Sequence, residues 1–281
     1  MKPPWEQDAL AANGRAVSEN FGHWFGPSQA LDASLIPLVL YHGTRQGNFD
    51  AFKPHIRRGE QMGFGIHFAE RLDFATRYAN DNTVARKGKA PHVHSVFLSA
   101  QVPLLASAIV AEGTPAFVLA QKLAGHRLCT VRDEAGRRTA WMQNAIDSTS
   151  PARAERLIRK AGFDAVVYEA RIGVLGAPGA NARVLDKCRS WIVFEPCQVK
   201  SAADNAGLFL AGSASLSDRD ADLALRSALR AKSCIARFEK FSRHEPGNPN
   251  STECFLVTAL NAMSAMNFIT SQAPRKAAPH A

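Results

Sequence analysis

The feature that most constrains the fold is a pair of glycine-bearing apolar segments lying close together. Pro37-Leu-Val-Leu-Tyr41 is an apolar run that leads into His42-Gly43-Thr44, and Gly63-Phe-Gly65-Ile-His67-Phe68-Ala follows it. Short apolar runs punctuated by glycine read as buried strands. Leu72 to Asn80 then reads as a helix with Phe74, Ala75 and Tyr78 on its apolar face, and Tyr78 falls eleven residues after His67. Each piece has a chemical use. A strand that ends on glycine leaves backbone N–H and C=O groups unobstructed, able to clamp a planar amide. The histidine beside it offers a ring nitrogen to a hydroxyl. Glycine in the second strand fits a place where backbone approaches a ligand. A helical Tyr78 can lay its ring against an aromatic ligand.

The rest of the chain alternates short strands and helices. His92 to Ser99 alternates Val93, Ser95 and Phe97 against His94, Val96 and Leu98, as a strand does, and Val102-Pro103 ends it. Pro115 to Ala124 and Pro151 to Ala161 read as helices with proline at the start, where a missing N–H does least harm. Phe163 to Tyr168 and Ser190 to Phe194 read as strands, the latter closed by Glu195-Pro196. Arg86 to Pro91 and Gly173 to Gly179 read as loops. Beyond Ala202 the character changes to an amphipathic helix over Asp218 to Phe241, a linker over His244 to Ser251 and a second apolar helix over Glu253 to Phe268. This divides the chain into an arm (1–20), a main domain (21–202) and a helical extension (203–281) with a disordered tail.

Composition narrows the class. Hydrophobic residues make up 46% and charged residues 21%, so a sizeable core can be buried. A net charge of +9 is compatible with an anionic partner, but no basic run is long or interleaved with aromatics, and charge scattered over a solvated surface is the favoured explanation. The five cysteines form no CxxC pair, which points to a reducing compartment. No segment has the length of a Sec-type signal or a membrane span, so the expected location is cytoplasmic, or another cell reached by a non-Sec route. His92-x-His94 has metal-like spacing but lacks a third ligand nearby, and no metal is expected.

The order and spacing of the first segments resemble the poly(ADP-ribose)-polymerase-like and diphtheria-toxin-like ADP-ribosyltransferases. The resemblance is nearest to the ADP-ribosyltransferase domains in polyvalent proteins of phages and mobile elements. It extends over about Phe21 to Ala202, through Phe49-Asp-Ala-Phe52, Val93 to Leu104, Gly162 to Tyr168 and Trp191-Ile-Val-Phe-Glu-Pro-Cys-Gln-Val-Lys-Ser201. It implies an α+β fold: two small, mostly antiparallel split sheets around a cleft for nicotinamide adenine dinucleotide (NAD), flanked by helices. It also implies site roles. His42 would hydrogen-bond the adenosine ribose, the Gly43 backbone would hold the nicotinamide carboxamide, and Tyr78 would stack on the nicotinamide. His67 stands where a second stacking tyrosine is usual; its imidazole could stack and could also hydrogen-bond. Thr44, Gly65 and Phe68 complete the expected NAD-binding set. Ala75 stands where the helix often offers a serine hydroxyl.

The third motif departs from the pattern. Aligning the last strand puts Ser190 where a catalytic glutamate is usual. A hydroxyl supplies no negative charge, and losing one electrostatic stabiliser commonly costs about 3–4 kcal/mol. Asp186, read as a nearby loop acid, is the favoured substitute, with Glu70 and Glu169 as other donors. Two main functions follow: a mono-ADP-ribosyltransferase acting on a protein or nucleic-acid acceptor, as a toxin, an effector or a phage-borne host-modifying protein, or an inactive module that binds NAD or a partner. A third, a basic nuclease, has no motif of its own.

Overall fold

The computed structural model describes residues 2–57, 62–80, 90–174 and 184–242. In chain order its elements are α1 (Val17–Phe25), β1 (Leu40–Thr44), β2 (His55–Ile56), β3 (Phe64–Ala69), α2 (Leu72–Asn80), β4 (His92–Leu98), β5 (Pro103–Leu105) and β6 (Ile109–Ala111). There follow α3 (Pro115–Ala124), β7 (Val131–Arg132), β8 (Arg138–Trp141), α4 (Met142–Asp147), α5 (Pro151–Lys160), β9 (Ala165–Val174), β10 (Val184–Val193), β11 (Val199–Ser201) and α6 (Arg219–Ser242). The chain forms two compact units, Phe25–Ala203 and a second that joins Met1–Trp24 to Asp204–Ala281.

In the larger unit the strands run in the order β11-β4-β1-β3-β10-β9-β5, with β2 beside β3. One joint in this path is nearly open. β1 pairs with β4 from Leu40↔Val96 to Thr44↔His92, whereas it pairs with β3 only at Tyr41↔Ala69. The split sheet implied by the resemblance is thus one continuous path with a break beyond a single ladder pair. β3 continues into a regular antiparallel partner, β10, and β5 adds to β9 in parallel. A separate three-stranded sheet, β6-β8-β7, was not anticipated, because its strands of two to four residues are too short to show periodicity.

Helices α3, α4 and α5 cover one face of this sheet, burying Phe117, Met142 and Ile158 against Phe64, Val166 and Ile192. The Thr114 hydroxyl caps α3 by accepting the Phe117 N–H at 3.2 Å, and Pro115 follows at the first helical position. The closing segment is buckled by Gln198. Its Oε1 accepts from the N–H groups of Phe194 (3.1 Å) and Glu195 (2.9 Å), and its Nε2 donates to the carbonyls of Ser99 (3.1 Å) and Asp164 (3.0 Å). Asp164 in turn accepts from the N–H groups of Gln101 and Val102 at 2.7 and 2.8 Å.

Several boundaries differ from the sequence reading. β1 begins at Leu40, not at Pro37, and holds His42, Gly43 and Thr44 within the strand. β10 begins at Val184, so Asp186 is a strand residue opposite Ile172 and not a loop acid. Pro103 opens a strand where it was expected only to end one. The buried stripe of α2 is Phe74, Ala75 and Ala79, while Tyr78 is 52% exposed. The cause is the closeness of α2 to β1: a Cβ on Gly43 would stand 1.8 Å from the Ala75 carbonyl oxygen and 2.9 Å from the Ala79 nitrogen. Only alanine-sized side chains fit a helix pressed this near to a strand.

In the other unit the aromatic cluster of α1 finds its partner far along the chain. The Phe21 ring meets Phe209 edge-on at 5.2 Å, Trp24 lies 5.8 Å from the same ring, and the Asn20 amide donates to the Gly207 carbonyl at 2.9 Å. Residues 2–24 and the described part of 204–242 therefore share one unit, where the sequence suggested two separate appendages. The expected amphipathic helix is present as α6. The expected linker and the helix over Glu253 to Phe268 lie outside the described residues, as does most of the loops around Arg86 and Gly179. Among the described residues no helix is long and apolar enough to cross a membrane.

Candidate functional site

The break between β1 and β3 decides which backbone groups are available. Ala202 N–H donates to the Ser95 carbonyl at 2.9 Å, so Ser95 turns its backbone toward β11, and Tyr41, directly opposite it, turns its own away from β4. Alternation then directs the N–H and C=O of both Tyr41 and Gly43 toward β3. On β3, Glu70 N–H donates to the Arg189 carbonyl at 3.1 Å, which leaves the backbone groups of Ala69 and His67 facing β1. Tyr41 meets Ala69; Gly43, two residues on, has no ladder partner on β3. Gly43 thus presents a backbone donor and acceptor to an opening that it shares with the His67 N–H, the His67 carbonyl being taken by His42.

One side chain crosses that opening. His42 Nδ1 lies 2.8 Å from the His67 carbonyl oxygen. A carbonyl only accepts, so Nδ1 carries the proton and Nε2 keeps a lone pair. The ring sits among Phe52 (4.9 Å), Phe68 (5.8 Å) and His94 (6.4 Å), its cross-strand neighbour. Burial, with a smaller contribution from His55, lowers the His42 pKa to about 4 against the raising effect of its backbone bond. The imidazole is neutral at physiological pH.

His67 projects from the opposite face, toward Tyr168 and Ser190. Its Nε2 donates to the Phe64 carbonyl at 3.0 Å, and its Nδ1 accepts from the Tyr168 hydroxyl at 2.9 Å. Both nitrogens are therefore engaged, and the expected hydrogen bond to a ligand is replaced by bonds within the protein. What the ring retains is a stacking role, already exercised on one side by His55 at 5.8 Å and 20° between planes. Burial is the chief reason its pKa falls to about 3.

The two motif glycines have reasons within the fold. Gly43 admits α2, as described above. Gly65 has φ +74°, and a Cβ there would lie 2.5 Å from Ile192 Cγ2 and 2.8 Å from the Val193 carbonyl oxygen. Neither glycine depends on a ligand for its identity, although the Gly43 backbone still faces the opening. The Thr44 hydroxyl accepts from the Gln46 N–H at 3.1 Å and shapes the turn after β1. Phe68 is buried beneath His42 and packs against Phe52 at 5.2 Å. The Tyr78 ring is exposed on α2, 5.7 Å from Phe74.

The acidic candidates are all engaged. Ser190 is 2% exposed, and its hydroxyl donates to the Cys188 carbonyl at 3.3 Å. Asp186 is held by Arg71 at 2.9 Å and by Arg77 at 2.7 Å, and the Arg71 guanidinium keeps its carboxyl below the usual range. Glu70 accepts from the Trp191 indole at 2.9 Å and lies 3.4 Å from Arg189. Glu169 pairs with Lys187 at 3.1 Å and Arg171 at 3.2 Å.

The sequence offers His94 only as half of a metal-like His92-x-His94 pair, not as a neighbour of His42. His94 is 7% exposed, its Nε2 has no hydrogen-bond partner among the described residues, and the Phe49 ring covers it at 4.2 Å. Its place opposite His42 follows only from the β1–β4 register. Burial, followed by the charges of His92 and His42, lowers its pKa to about 4. No group of three or more metal-ligating side chains occurs among the described residues.

Residues 32–209 match the model of a family described as ADP-ribosyltransferase in polyvalent proteins. No curated protein and no solved structure matches the chain.

Proposed function

The chain belongs to the ADP-ribosyltransferase family of polyvalent proteins, and from that premise we propose that it binds NAD across the β1–β3 opening and transfers ADP-ribose to a macromolecular acceptor. The observation that carries this reading is the single ladder pair Tyr41↔Ala69, beyond which no ladder pair joins Gly43 to His67. A carboxamide carries one acceptor and two donors on a plane, and the N–H and C=O of Gly43 complement it. His42 and His67 project from opposite faces, so a ligand touching both rings is bent through the opening. The His42 Nε2 lone pair would accept a ribose hydroxyl, and the exposed Tyr78 ring would cover the nicotinamide.

Transfer breaks the bond between nicotinamide and the ribose and forms one between that ribose carbon and the acceptor. Cleavage runs ahead of bond formation, so positive charge gathers on the sugar, and a site accelerates the step by holding the dinucleotide bent and by offering negative charge. Here Ser190 offers no carboxylate and its hydroxyl is buried and donates to the Cys188 carbonyl, and Asp186 is shared by two guanidinium groups. The engaged acids support a slow, single transfer over chain extension. They also favour a second reading, a module that binds NAD without turning it over.

Incubation with labelled NAD and host lysate tests the proposal. Label on macromolecules, reduced in His42→Ala, supports transfer; saturable binding without turnover supports the second reading. Absence of any NAD binding overturns both.

A further inference from the structure

A second concavity begins at Phe64, three residues before His67. It has a volume of about 560 Å³ and is walled by Met62, Gly63 and Phe64 on one side and by α4 and the start of α5 on the other. That volume accommodates a nucleoside. Phe64 is shared: its carbonyl accepts from His67 Nε2, while the residue itself lines the concavity. Resting on the transferase reading above, we propose that this concavity receives the acceptor, an unpaired guanine of single-stranded nucleic acid.

Four polar side chains converge there, those of Gln143, Asn144, Asp147 and Thr149, and none of them makes a hydrogen bond among the described residues. Asp147 is exposed at the mouth of the concavity and has no ion-pair partner among the described residues, and partial desolvation of its carboxyl pushes its pKa up. A carboxylate is an acceptor pair. The ring N–H and amino group of guanine form a donor pair of matching spacing, whereas adenine and cytosine offer one amino group and thymine one ring N–H. Trp141 lines the same space and is 52% exposed, a stacking surface for a base.

Charge separates a nucleic acid from a basic peptide. Arg171 lines the concavity, a cation placed for a phosphate. With a net charge of +9, the chain repels an arginine-bearing peptide and attracts a phosphate backbone. The edge of guanine that Asp147 would read is hidden in a duplex, which makes the ligand single-stranded.

Fluorescence anisotropy of end-labelled single-stranded oligonucleotides tests this on the full chain. An oligonucleotide with one guanine in a thymine background is expected to bind at least tenfold more tightly than thymine alone. Asp147→Asn is expected to abolish that preference and Trp141→Ala to weaken both, with NAD affinity unchanged. Both residues lie at the surface of the concavity, and circular dichroism checks that the variants fold. Equal binding of the two oligonucleotides, wild-type behaviour of Asp147→Asn, or tighter binding of an arginine peptide overturns the inference. If NAD does not bind but the guanine preference and its loss in Asp147→Asn are seen, the concavity stands as a nucleic-acid site and the transferase reading alone fails.

Discussion

His42 Nδ1 reaches the carbonyl oxygen of His67 at 2.8 Å, a side-chain bond placed where the β1–β3 ladder has already stopped. It takes up the carbonyl that a continuing strand would have bonded, fixes the His42 tautomer, and leaves the Gly43 backbone facing an opening. Replacing His42 removes this bond together with the Nε2 lone pair. His42→Ala is expected to weaken NAD binding about two- to twelvefold, the range of about 0.5–1.5 kcal/mol for one neutral hydrogen bond, read by isothermal titration calorimetry. Unchanged affinity in a folded variant would remove His42 from the site.

Gly43→Ala tests the packing explanation. The added methyl would meet the Ala75 carbonyl oxygen at 1.8 Å, contact with backbone that no rotamer relieves. Overpacking of this kind costs about 1–3 kcal/mol or more, so a clear drop in the urea midpoint is expected. A loss of NAD binding at unchanged stability would mean that the glycine serves the ligand alone.

The buried imidazoles predict a pH dependence. His42, His67 and His94 have folded pKa values near 4, 3 and 4, below their unfolded value of 6.5. The unfolded chain therefore binds more protons below about pH 6.5, and stability falls as the pH drops from there toward 4. Each such histidine contributes a slope of up to about 1.4 kcal/mol per pH unit. Urea midpoints between pH 7.5 and 5 should fall steeply, and less so in His94→Phe; a flat profile would show that these rings protonate within the folded protein.

Asp186→Asn separates an ion-pair role from a catalytic one. Its partners Arg71 and Arg77 are 43% and 44% exposed, and such pairs are worth about 0–1 kcal/mol. Stability should change little and any ADP-ribose transfer by less than tenfold. A fall of a hundredfold or more would identify Asp186 as the missing acid.

Much of this arrangement was legible in the sequence. Glycine punctuation located β1 and β3, apolar spacing located α2, and proline placed the starts of α3 and α5. What escaped depends on contacts that spacing does not record. Tyr78 and Ala79 exchange roles because α2 lies against Gly43, and the partner of Phe21 is nearly two hundred residues away, at Phe209. Asp186 reads as a loop acid until the length of β10 and the positions of Arg71 and Arg77 are known. The spacing of His92 and His94 is visible in the sequence, but the place of His94 opposite His42 follows only from the register.

Amide hydrogen exchange with and without NAD tests the central claim most directly. If the dinucleotide occupies the β1–β3 opening, saturating NAD slows exchange at Gly43 and His67 together, and does so less in Tyr78→Ala. Saturable binding that leaves both amides unprotected, or no binding at all, would contradict it.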